Sequence, residues 1–65
     1  MLTMKKQNTA FTIDVKAVNE DTNYNIKASI FKEKETIPMA QNSFDKECTI
    51  MDIKMWAAQA IGLIN

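Results

Sequence analysis

Two stretches of the chain alternate between apolar and polar residues, as β-strands with one buried face do. From Phe11 to Val18 and again from Tyr24 to Phe31, every second residue is apolar, and only Val18 and Phe31 break the polar side of the pattern. The residues between them, NEDTN at 19–23, are turn formers. The pattern predicts an antiparallel hairpin with one apolar face.

The register of this hairpin is predicted from the side chains on its two faces. A slip of one residue would send every side chain to the opposite face of the sheet, so the two apolar faces must coincide. Pairing Ala17 with Tyr24 meets this requirement and leaves 19–22 as the loop. It also places Asp14 opposite Lys27, and opposite charges facing each other across two strands are favourable.

The segments on either side of the hairpin have weaker patterns. Residues 1–9 predict a polar tail or a short edge strand, in which Leu2 and Met4 would share one face. Residues 36–44 predict a short third strand at the sheet edge, because Pro38 lacks a backbone donor and is tolerated there. An ordered loop is the alternative for this second segment.

The last sixteen residues, Ile50 to Asn65, predict a helix with more apolar surface than one buried stripe needs. Thr49 and Asp52 match a capping box at its start. At about 100° per residue, one apolar stripe would face the sheet; it contains Ile50, Ile53, Ala57, Ala60, Ile61 and Ile64. A second stripe lies roughly opposite and contains Met51, Met55, Ala58 and Gly62.

These elements predict an α+β fold: an antiparallel β-hairpin with a short third edge strand and one C-terminal helix packed on one sheet face, in two layers. Residues 1–65 are expected to form a single small domain, and a chain of this length buries only about 60% of its unfolded surface. The single cysteine, Cys48, and the absence of histidine leave no disulfide and no histidine-containing zinc site to stabilise it. Either a well-packed small core or association with another chain must therefore stabilise it.

Composition narrows the classes of function. Eight lysines without arginine balance eight acids, which makes a role in nucleic-acid binding unlikely on sequence grounds. No secretory signal and no membrane-spanning run is present, so the sequence predicts a cytoplasmic protein that does not enter membranes. Cys48 has no histidine to activate it, and neither a carboxylate pair nor a glycine-rich loop occurs. We therefore expect no enzyme activity, cofactor, metal or small-molecule substrate.

The remaining hypothesis is a non-enzymatic protein–protein interaction module that acts through the second helical stripe. The partner would be another protein or a second copy, with a homodimer expected, and the size is typical of phage or mobile-element proteins that bind or inhibit a host protein. The predicted interface residues are Met51, Met55, Trp56, Ala58, Gly62 and Phe31. For Trp56 the alternative is a place in the core, and for the stripe it is cover by the third strand or the N-terminal segment. The alternative function is a nucleic-acid-associated protein that uses the lysines of the sheet face.

Overall fold

The computed structural model describes residues 2–18 and 26–64, which form one four-stranded antiparallel sheet and one helix. The strands follow one another in space as they do along the chain, so each pairs with the next in the order β1-β2-β3-β4. The elements are β1 (Leu2–Lys6), β2 (Thr9–Ala17), β3 (Ile26–Lys32), β4 (Ala40–Phe44) and α1 (Ile50–Ala60). The predicted α+β class and the helix on one sheet face are confirmed.

The segments that flank the hairpin are both strands. The short-strand prediction for residues 1–9 is confirmed by β1, which joins β2 through a tight turn at Gln7, whose φ is 56°. Leu2 and Met4 pack against the core from this strand. The third strand predicted within 36–44 is confirmed as β4, which pairs with β3 along its whole length of five residues.

The predicted hairpin register is wrong by two residues. Ala17 pairs with Ile26, and Asp14 faces Ser29 instead of Lys27; Tyr24 and the predicted loop at 19–22 lie outside the described residues. A shift of two keeps every side chain on its face, so the apolar pattern does not distinguish the two registers. The observed register sets the fully buried Ile13 directly opposite the fully buried Ile30.

The observed register does not follow the charges. An exposed ion pair contributes only about 0–1 kcal/mol, so giving up the predicted pair of Asp14 and Lys27 costs little. Lys16 and Lys27 face each other across β2 and β3, although like charges opposite each other are unfavourable. The Asp14 carboxylate lies 3.7 Å from the Lys16 ammonium on its own strand, which offsets part of that repulsion.

The core lies between the helix and the two central strands. Its buried residues are Phe11, Ile13, Ala28, Ile30, Ile53, Ala57 and Ile61. The predicted inward stripe is therefore confirmed at the three helical positions of this list. Ile50, Ala60 and Ile64 of that stripe are exposed, because they lie at the first helical residue, the last helical residue and beyond the helix.

Side chains and backbone close both ends of the helix. The Thr49 hydroxyl accepts a hydrogen bond from the Asp52 N–H at 3.2 Å, and the Asp52 carboxylate accepts one from the Thr49 N–H at 2.9 Å. This confirms the predicted capping box. The helix ends at Ala60, earlier than predicted, because Gly62 adopts a φ of 84° and reverses the chain.

Replacing Thr49 with alanine removes one acceptor of the capping box, and we expect the free energy of unfolding to fall by about 1 kcal/mol. Urea denaturation followed by circular dichroism measures this change. Thr36→Ala, at an exposed threonine of the β3–β4 connection, is the matched control and should leave the midpoint unchanged. Equal midpoints for both variants would show that the capping box does not stabilise α1.

Candidate protein interface

The helix carries large apolar side chains on the side that turns away from the sheet. Met51 is 60% exposed and Met55 is 49% exposed, whereas Ile50, 53% exposed, belongs to the sheet-facing stripe and is uncovered because it is the first helical residue. Together with the half-buried Ala58, Met51 and Met55 form what we call the exposed helix face. The described strands do not cover it, so the alternative that the third strand or the N-terminal segment buries it does not hold for residues 2–18 and 26–64.

Two charges lie beside this face, and one of them is unpaired. Residues three or four apart on a helix are neighbours on its surface, so Lys54 lies beside Met51 and Ala58, and Asp52 lies beside Met55. The Asp52 carboxylate is engaged in the capping box, whereas Lys54 is exposed and no described acid pairs with it within ion-pair distance. The exposed helix face is thus an apolar surface with one unpaired cation beside it.

Gly62 has a conformational role at the end of the helix. The Gly62 N–H donates to the Gln59 carbonyl at 3.2 Å, and the Leu63 N–H donates to the Ala58 carbonyl at 2.8 Å. This pair of hydrogen bonds is the Schellman motif, which requires a left-handed residue and therefore favours glycine. A Cβ at position 62 would also come within 2.7 Å of the Lys6 ammonium from β1. Gly62 therefore has a structural reason to be glycine that needs no partner chain.

Trp56 contacts both the core and the edge strand. It is half-buried, packs against the core cluster, and meets the Phe44 ring edge-on, with 5.7 Å between ring centroids and 75° between ring planes. Aromatic pairs of this geometry add about 0.5–1.5 kcal/mol beyond their buried area. Trp56 thus helps to hold α1 over β4, and its role as an interface residue stays a prediction.

Phe31 lies on a different surface from the helix. Successive side chains of a strand point to opposite faces, and its neighbour Ile30 is buried under α1, so Phe31 points to the outer sheet face. It is half-buried there, opposite Thr12 of β2. The structure therefore brings Met51, Met55 and Ala58 together but does not bring Phe31 to them.

Further exposed apolar side chains flank these elements. Ile37, the most exposed at 75%, and Met39 precede β4, while Leu63 and Ile64 follow the helix. The interface prediction did not include any of these four residues. The sequence did contain a signal that Leu63 and Ile64 lie outside the helix. This signal is Gly62, since a glycine just past a helical pattern commonly marks the end of the helix.

No pocket is found among residues 2–18 and 26–64, and these residues hold no group of three or more His, Cys, Asp or Glu side chains close enough to share a metal ion. Cys48 is half-buried against the core. The one helix of the described residues is too short and too polar to cross a bilayer.

Comparison with known proteins adds no assignment. No family model, no curated protein and no solved structure matches this chain significantly. The function must therefore be inferred from the chain's own surfaces.

Gly62→Ala should lower the free energy of unfolding by about 1 kcal/mol, because a side chain is strained in the left-handed region. Gly62→Asn should lose less, since asparagine adopts that region more readily than alanine. Chemical denaturation of both variants measures the difference. If Gly62→Ala unfolds at the wild-type midpoint, the conformational role assigned to Gly62 is wrong.

Proposed function

We propose that this protein is a non-enzymatic protein–protein interaction module that docks through its exposed helix face. The observation that carries the proposal is the exposure of Met51 and Met55 on a helix whose opposite side is already buried. Apolar surface gains about 25 cal/mol for each Å² removed from water. A partner that covers these two side chains would therefore bind with a favourable free energy that the isolated chain does not have.

The chemistry of the face indicates what kind of partner fits. Methionine side chains are flexible and polarizable, so Met51 and Met55 adapt to an apolar groove of irregular shape. An amphipathic helix that binds a groove is a common mode of recognition. Lys54 beside the face favours a groove that carries an acidic side chain, because opposite charges across an interface steer association and its register.

The partner is proposed to be a larger protein or a second copy of the chain. A small phage or mobile-element protein that binds and inhibits a host protein would fit this description. We place the interaction in the cytoplasm, where the lone thiol of Cys48 would stay reduced. Trp56 and Ala58 would form the border of the contact, since both are only half-buried.

Met55→Asp should weaken binding to a protein partner by at least about tenfold, because it places a charge where an apolar side chain is buried. The measurement is affinity capture with the immobilised chain, followed by titration of the captured protein against each variant. Thr36→Asp is the matched control, since Thr36 is an exposed residue of the β3–β4 connection, away from the helix. Capture that is unchanged by Met55→Asp and by Met51→Asp, with both variants folded, would exclude the exposed helix face as the interface.

The second candidate function is association with nucleic acid through the outer sheet face. The observation that favours it is the adjacency of Lys16 and Lys27, which face each other across β2 and β3. Asp14, 3.7 Å from Lys16, reduces the positive charge of this surface.

Salt dependence tests this second candidate. Phosphate contacts release counterions, so the affinity for a fluorescent single-stranded or duplex oligonucleotide should fall steeply between about 50 and 200 mM salt. Lys27→Gln should reduce that slope, and Lys54→Gln on the helix should not. No binding at 50 mM salt would remove nucleic acid from the candidates.

A further inference from the structure

The outer edge of β4 presents unpaired main-chain groups. The Glu33 N–H donates to the Ala10 carbonyl at 2.9 Å, and the Ile30 carbonyl accepts from the Met39 N–H at 2.8 Å. Odd-numbered residues of β3 therefore bond to β2, and even-numbered ones bond to β4. In the register of β3 and β4, the even-numbered residues of β4 face β3. The N–H and C=O groups of Gln41 and Ser43 consequently point away from the sheet.

One of these outward groups already has an unusual partner. The Ser43 N–H donates to the side-chain oxygen of Asn42 at 2.9 Å. A strand residue bonds to the adjacent side chain in this way when no neighbouring strand supplies a carbonyl. This hydrogen bond agrees with the direction assigned to Ser43, and it shows that the outer edge of β4 is open among the described residues.

The two edges of the sheet differ in their protection. Natural sheets discourage pairing at an open edge with charged side chains, above all lysine. The edge strand β1 carries Lys5 and Lys6, whereas the edge strand β4, with the sequence AQNSF, has no charged residue. The edge at β4 therefore lacks the charges that would repel another strand.

The β4 strand is also complementary to itself. In an antiparallel pairing centred on Asn42, Gln41 would face Ser43 of the second copy, so the outward groups of both strands meet. Ala40 would face Phe44, which sets a small side chain beside a large one on the same sheet face. No like charges oppose each other in this register, since the strand has none.

We propose that β4 pairs antiparallel with β4 of a second copy of this chain, with Asn42 of each copy on the two-fold axis. About four main-chain hydrogen bonds would join the strands, from Gln41 and Ser43 of each copy. The two four-stranded sheets would then form one sheet of eight strands with both helices on the same face. The surface used is distinct from the exposed helix face, so this inference goes beyond the proposed function.

The strength of this dimer follows from its size. A pairing of two five-residue strands is smaller than the interfaces of permanent dimers. Asn42 must also release the Ser43 N–H, whose new partner is the Gln41 carbonyl of the second copy. We therefore expect a weak, reversible dimer.

The test places charges on the two-fold axis. Sedimentation equilibrium of the wild type from about 10 μM to 1 mM should show a mass that rises from 7.4 kDa towards twice that value. Asn42→Lys should weaken the dimer several-fold, because it puts two ammonium groups face to face. Asn42→Glu should do the same, and an equimolar mixture of the two variants should recover the dimer.

The controls separate this pairing from other modes of association. Thr3→Lys adds the same charge at an exposed position of the other edge strand and should leave the dimer intact. Met55→Asp should also leave it intact while it weakens docking through the exposed helix face. A wild type that stays at 7.4 kDa at 1 mM, or a mixture of the Asn42 variants that stays monomeric, overturns the pairing at β4. Loss of the dimer in Met55→Asp alone, with the fold retained, would assign self-association to the helix instead.

Discussion

The contact between one side of α1 and the two central strands is the interaction on which the structure depends. Ile53, Ala57 and Ile61 of the helix meet Ile13 and Ile30 of the sheet, and all five are buried. The small Ala57 side chain lets the helix axis approach the sheet. A helix of eleven residues makes only about three turns, so it meets the sheet at few positions and the core is small.

Such a small core leaves apolar residues on the surface. Met51 and Met55 lie on the wrong side of α1 to reach the sheet, and Leu63 lies beyond the glycine that ends the helix. The sheet is larger than one helix can cover. The helix α1 covers one sheet face and neither of the outer edges. The surfaces available to partners therefore result from packing a four-stranded sheet against a single short helix.

The features that follow from strand alternation or helical spacing were predictable from the sequence. Features that depend on a choice between two similar arrangements, such as the hairpin register, were not. Alternation gave the correct inward face for Ile13 and Ile30, and the spacing of Thr49 and Asp52 gave the start of the helix. The hairpin register was not determined, because both registers satisfy the alternation, and the predicted pair of Asp14 and Lys27 was too weak a criterion to choose between them. For the candidate interface, exposure of the methionines followed from the helical period, whereas the role of Gly62 depended on where the helix ends.

The two proposed surfaces would reinforce each other. A dimer joined at β4 carries both helices on one face of a continuous sheet, so two exposed helix faces would point in the same direction at a fixed spacing. A partner with two grooves at that spacing would bind the second helix as an intramolecular step, which raises the overall affinity without any new contact. The neutral edge of β4 would then set the geometry with which Met51 and Met55 are presented, and a weak dimer would be enough because the partner itself would stabilise the paired edges.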